Sequence, residues 1–153
     1  VSLVAALAWT PLGWVAAEPV TDVTVSDPWV REMPPGMRMT AAYMMLSNRG
    51  PTERVLTGVS SAMFGSAEIH RTVQSGGKAS MLQQDRVSIP AQSEIQFTPG
   101  GYHIMLMDAE EMPRGGDKVP LTLHFANGDT LEIEAQVKAS AGATTEHHHH
   151  HGH

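Results

Sequence analysis

Between Val20 and Val137 apolar residues recur at every second position, and clusters of Pro, Gly, Asn and Asp interrupt the alternation at short intervals. A period of two sends successive side chains to opposite faces of an extended chain, so each segment can bury one face and wet the other. The pattern predicts ten short strands: Val23 to Ser26, Met39 to Ser47, Arg54 to Ser60, Ala67 to Val73, Ala79 to Gln83, Arg86 to Ile89, Glu94 to Thr98, Tyr102 to Met107, Lys118 to Ala126 and Thr130 to Val137. Turns are marked by Asn48-Arg49-Gly50-Pro51, Gly76-Gly77, Pro99-Gly100-Gly101 and Asn127-Gly128-Asp129. No dozen-residue stretch carries a helical stripe. Short strands with regular turn signals predict an all-β, Greek-key barrel or sandwich. A single β-domain is expected over residues 18–138, long enough to bury a core without crosslinks.

The two ends read differently. Residues 1–17, VSLVAALAWTPLGWVAA, carry no charge and finish on small residues. They are expected to be a secretory-signal remnant, cut after Ala17. Pro11 and Gly13 interrupt a run shorter than the roughly 20 apolar residues of a spanning helix, so no membrane span is expected after cleavage. Residues 139–153 are expected to form a flexible tail ending in His147, His148, His149, His150, His151 and His153. Adjacent neutral imidazoles make a ligand set for Cu(II), Ni(II) or Zn(II); an expression tag is the other reading.

Composition narrows the chemistry. The chain has no Cys, which excludes thiolate nucleophiles, zinc ribbons, Fe–S clusters and blue-copper centres. A formal charge of −6 disfavours nucleic acid as a partner and a polybasic membrane anchor. Nothing resembles a nucleophile elbow or a paired-acid motif, so an enzyme is not expected. Sulfur remains only as the thioethers of ten Met.

His70, His103 and His124 are the histidines inside the β-domain. In the predicted strand Tyr102 to Met107, His103 and Met105 share a face while Ile104 and Leu106 take the other. Ala67 to Gln83 reads as a hairpin. With Ser75-Gly76 as its loop, His70 opposes Met81; with Gly76-Gly77, His70 opposes Gln83 and Met81 lies diagonal on the same face. Either register adds a second His and Met pair. Two imidazoles and two thioethers, with no acid among them, suit Cu(I), because thioethers bind hard cations poorly. Thioethers also survive in an oxidising compartment where free thiols become disulfides.

His70, ten residues, Met81, twenty-one residues, then His103-x-Met105 matches H-x10-M-x21-H-x-M. Given His70, chance placement of the other three is on the order of 1 in 10,000. With Thr40-Ala41-Ala42-Tyr43-Met44 and Pro99-Gly100-Gly101-Tyr102-His103-Ile104-Met105-Leu106, this signature resembles the periplasmic copper chaperones called PCuAC, over about Val20 to Val137. The chain departs from many members at Arg71, where they carry Met. The resemblance implies a cupredoxin-like β-barrel, a periplasmic location and one Cu(I) held by His70, Met81, His103 and Met105. It also implies delivery to the binuclear copper site of cytochrome c oxidase subunit II, directly or through a thiol-containing Sco-type partner. Members with His-rich C-terminal extensions imply Cu(II) binding at His147 to His153. A periplasmic copper buffer or resistance protein without a dedicated client is the alternative.

Other candidates have simpler readings. His124 reads as an ordinary strand histidine, Met44, Met45 and Met63 as packing, and Met107 as a rim residue. Met33, Met37 and Met39 lie in Glu32-Met33-Pro34-Pro35-Gly36-Met37-Arg38-Met39, a Pro-rich loop where exposed thioethers gain little from packing. They are candidates for a secondary copper-collecting role.

Overall fold

Ten strands form where the alternation predicts ten. The computed structural model describes residues 22–139; the expected signal remnant at 1–17 and the run His147 to His153 lie outside the described residues. The strands are β1 (Val23–Arg31), β2 (Met39–Asn48), β3 (Arg54–Ser60), β4 (Phe64–Ser75), β5 (Lys78–Gln83), β6 (Val87–Ile89), β7 (Ser93–Phe97), β8 (Tyr102–Ala109), β9 (Lys118–Phe125) and β10 (Thr130–Lys138). Among the described residues there is no helix.

Pairing runs β5-β4-β8-β2-β1-β10-β9-β3-β6, with β7 against the second half of β2. All these pairs are antiparallel except β1 with β10. β2 divides its partners: Met39 to Ala42 face Met107 to Ile104 of β8, and Met44 to Asn48 face Phe97 to Ser93 of β7. β3 lies beside β4 and β6 beside β7, so the ends of the sheet come round to enclose one core. The result is the expected all-β, cupredoxin-like Greek-key arrangement.

Period-two alternation fills that core. Ile104 and Leu106 of β8 and Leu121 and Leu123 of β9 are fully buried, with Leu46, Leu56, Ile89 and Phe97. Complete burial of each such side chain contributes about 1.5–3 kcal/mol. Because β8 commits Ile104 and Leu106 to the core, His103, Met105 and Met107 fall on its other face.

Two strands, β1 and β4, run several residues longer than the alternation predicts. β1 continues from Ser26 to Arg31 because a bulge between Ser26 and Trp29, with Asp27 at φ +48°, absorbs the strand-breaking Asp27-Pro28. β4 starts at Phe64 because β8 extends to Ala109 and offers it a partner there.

At the Asn48 end of β2 a polar knot closes the fold. The Asn48 amide donates to the carbonyls of Thr52 (2.8 Å), Ile89 (2.9 Å) and Pro90 (3.2 Å) and accepts from the Gly50 N–H (2.9 Å). Beside it the Arg54 guanidinium pairs with Asp22 (2.9 Å) and Asp129 (3.4 Å). Gly50 fits there because a Cβ would run into the Asp22 carboxylate.

Candidate metal centre

The hairpin β4–β5 turns through Gly76-Gly77, both at positive φ (+58° and +77°), a conformation that glycine takes without strain. Of the two registers open from sequence, this one sets Gln83 opposite His70 and Met81 opposite Thr72. Pairing of β4 with β8 sets His70 opposite His103 and Glu68 opposite Met105. Opposed residues of an antiparallel pair share a face. His70, Met81, His103 and Met105 therefore emerge on one face of β5-β4-β8, away from the core.

The two imidazoles are brought together, with ring centroids 5.8 Å apart and planes inclined by 43°. His103 is 4% exposed. Each ring has one nitrogen engaged. His103 Nδ1–H donates to the Gly101 carbonyl (3.2 Å), and His70 Nε2–H donates to the Glu68 carboxylate (2.8 Å). These acceptors can receive only an N–H, so the lone pairs lie on His103 Nε2 and His70 Nδ1. Both atoms are buried without a hydrogen-bond partner. An unpaired buried polar atom costs about 1–3 kcal/mol. Two of them on facing strands form a site built to receive something else, and a lone pair held by a hydrogen bond at the opposite ring nitrogen is how metal-ligating histidines are oriented.

Met105 is half-buried and Met81, on the edge strand β5, is 56% exposed. Met81, Met105 and His103 line one open cavity of about 280 Å³. His70 is not part of that lining and adjoins it through the His103 ring. Among the described residues no three His, Cys, Asp or Glu side chains cluster into a metal site. The thioethers of Met81 and Met105 share the face of the His pair, and such donors favour a soft ion.

Three features of the site were not singled out from sequence. Glu68 is one: the donor set holds no carboxylate, yet a carboxylate sits on His70, and its signal was the Glu68-x-His70 spacing, which places both on one face. The Gly101 carbonyl is another, and being backbone it leaves no sequence signal. The third is Tyr43, buried on the same face, 4.6 Å from the Trp29 ring and under the Arg31 guanidinium (5.5 Å). Burial pushes the Tyr43 phenol above its usual 10.0, with the Arg31 charge pulling the other way.

The remaining candidates separate clearly. His124 Nε2 lies 2.8 Å from Ser60 Oγ, on the β9–β3 pair. Met44 is core and Met63 packs against it, whereas Met45 is half-buried and outside that cluster. Met107 lies opposite Met39 of β2 and Ser66 of β4. Arg71 faces away from His70 and stacks on the Tyr102 ring at 5.2 Å, so the residue at that position takes no donor from the imidazole face.

A family model described as LpqE-like, putative lipoprotein LpqE-like, matches residues 23–137. A putative lipoprotein of Leifsonia xyli subsp. xyli is 35% identical over 122 residues, which span 79% of this chain and 72% of that one. Among solved structures, the copper-bound PCuAC domain from PmoF2 aligns with a TM-score of 0.68 and 27% identity, covering 82% of this chain and all of that domain. CuI-DR1885 from Deinococcus radiodurans aligns with a TM-score of 0.60 and 34% identity, covering 81% of each chain.

Proposed function

The chain belongs to the LpqE-like family and carries a PCuAC-type domain, and from that premise we propose that it is an exported metallochaperone whose cargo is Cu(I). One observation carries the reading: two buried, unpartnered imidazole nitrogens, His70 Nδ1 and His103 Nε2, on facing strands, with the thioethers of Met81 and Met105 on the same face. Two neutral nitrogens and two neutral sulfurs favour the monovalent, soft ion over Cu(II) or Zn(II). The copper-bound PCuAC domain from PmoF2 and CuI-DR1885 support the same cargo.

Carrying differs from storing in how the ion leaves. The imidazoles are held by Glu68 and Gly101 on interior strands of the sheet, whereas Met81 sits on an exposed edge strand. An incoming thiolate therefore meets the weakest and most accessible donor first. Each exchange makes one Cu–S bond to an incoming thiolate as it breaks a bond to a thioether or, later, to an imidazole nitrogen; copper remains Cu(I), and no proton is taken from a thioether. This suits delivery to a thiolate-rich recipient, for which the family resemblance supports cytochrome c oxidase subunit II or a Sco-type partner in the periplasm. The six histidines from His147 to His153 would add a Cu(II) site.

Anaerobic titration with Cu(I) against a chromophoric chelator, followed by mixing with apo subunit II or its Sco partner, tests the proposal. One tight equivalent that moves to the recipient is expected. No tight equivalent would overturn the copper reading, and a tight equivalent that stays put would favour the buffer.

A further inference from the structure

The loop between β1 and β2 carries Met33 and Met37, and β2 opens on Met39. These three residues line the same 280 Å³ cavity as Met81, Met105 and His103. Met37 is 42% exposed and Met39 47%. Among the described residues the exposed large hydrophobics are Met37, Met39, Met81 and Leu82, so three of the four are thioethers facing this one cavity. Packing accounts for them only in part, because side chains about half exposed give up about half of the free energy of burial.

Their placement follows from register. Met39 lies directly opposite Met107, and Ala41 opposite Met105, so Met39 stands on the face that carries the imidazoles. Gly36 at φ +90°, with the Met37 N–H donating to the Pro34 carbonyl (3.3 Å), folds the loop back on itself. That turn keeps Met33 and Met37 beside Met39. Among the described residues no carboxylate lines this cavity and Arg31 is the charged residue in its lining, while Glu110 and Glu111 line the adjoining pocket that shares Met33 and Met37. Three neutral thioethers on flexible arms suit a soft monovalent ion.

We propose that Met33, Met37 and Met39 form a second, weaker Cu(I) site at the mouth of the cavity, through which cargo is loaded onto the four-donor site. This rests on the Cu(I) reading of His70, Met81, His103 and Met105. That set already supplies four donors, so three further sulfurs would exceed what one Cu(I) uses and are free to hold a second. Lacking an imidazole, they bind less tightly. Transfer inward then trades the loop thioethers first for those of Met81 and Met105, which line the same cavity, and then for the imidazole nitrogens. Each broken Cu–S bond to the loop is replaced by a bond to the four-donor set, with copper staying Cu(I) and no proton moving.

The test uses the full chain labelled with ¹³C at the Met methyl carbons, titrated with Cu(I) under anaerobic reducing conditions. The His-rich tail contains no Met, so it does not contribute to these signals. The first equivalent should shift Met81 and Met105, and the second should shift Met33, Met37 and Met39. The triple variant Met33→Leu, Met37→Leu, Met39→Leu, close in volume to the original, should keep the first step, lose the second, and take up its first equivalent several-fold more slowly from a Cu(I)–chelator complex. Unmoved Met33, Met37 and Met39 signals through two equivalents, or uptake by the triple variant at the wild-type rate, would overturn the proposal. If Met81 and Met105 themselves do not respond to the first equivalent, the four-donor reading fails, and the loading role fails with it.

Discussion

Strand β2 begins at Met39 and ends at Asn48, about 30 Å further along at roughly 3.3 Å per residue. Its two ends treat buried polar atoms in opposite ways. At the Asn48 end the amide is 1% exposed and every one of its hydrogen-bonding groups has a protein partner. Alongside its first half, on β8 and β4, two imidazole nitrogens are buried with none. Asp22 Oδ1 is also without a partner, but its sister oxygen takes both bonds from Arg54. On the proposed copper reading, the two unpaired nitrogens on facing strands await a partner from outside, so that the first end serves structure and the second function.

Substitutions at the two ends should separate these roles. The largest effect is expected for His103→Leu. It should weaken Cu(I) binding by more than the roughly 100-fold that loss of an outer hydrogen-bond partner costs a metal site, as read by chelator competition. Unfolding of the copper-free protein by urea should be unchanged or slightly harder, because an unpaired buried nitrogen is removed and the Gly101 carbonyl keeps the Thr72 N–H. Asn48→Ala should do the reverse. It strips partners from three carbonyls and one N–H and should lower stability by about 2–3 kcal/mol in the same unfolding assay, while Cu(I) affinity of the folded protein holds. A variant at either end that changed both properties together would break the contrast.

Smaller changes sharpen it. Glu68→Gln keeps an oxygen that can accept from His70 but removes the charge, and should weaken Cu(I) binding by about 10-fold. Unchanged affinity would mean that Glu68 serves the fold alone. Tyr43 gives the smallest effect, visible only in alkali. Its phenol, raised by burial, keeps its proton in the fold where the unfolded chain has released it. Stability from this group is thus intact below about pH 10 and declines as pH rises through the raised value. Tyr43→Phe should flatten that alkaline limb in urea titrations at successive pH values.

Much of this architecture is legible in the sequence because period two is a direct readout of strand faces. Arg54–Ser60 forms over the predicted residues, and the others differ by a few positions at their ends. β1 hides its second half behind Asp27-Pro28, since a bulge is a tertiary accommodation that local propensity scores as a break. The four proposed donors could be picked out by spacing, but the hairpin register could not. Gly76-Gly77 and Ser75-Gly76 are both acceptable two-residue loops, and the fold takes the one in which both loop residues are glycines at positive φ. The tautomers were beyond reach as well, because they depend on a backbone carbonyl and on a carboxylate whose neighbours were unknown. Likewise the Met33 to Met39 loop could be recognised as unusual, yet only the fold shows that its thioethers reach the imidazole face.

The central claim is that the two unpaired nitrogens hold the metal. Long-range ¹H–¹⁵N correlation spectra of the histidine rings, recorded before and after one equivalent of Cu(I), test it directly. The account predicts that His70 Nδ1 and His103 Nε2 shift on loading, while His70 Nε2 and His103 Nδ1 keep their protons. Unchanged resonances of His70 Nδ1 and His103 Nε2 in the copper-loaded protein would contradict it.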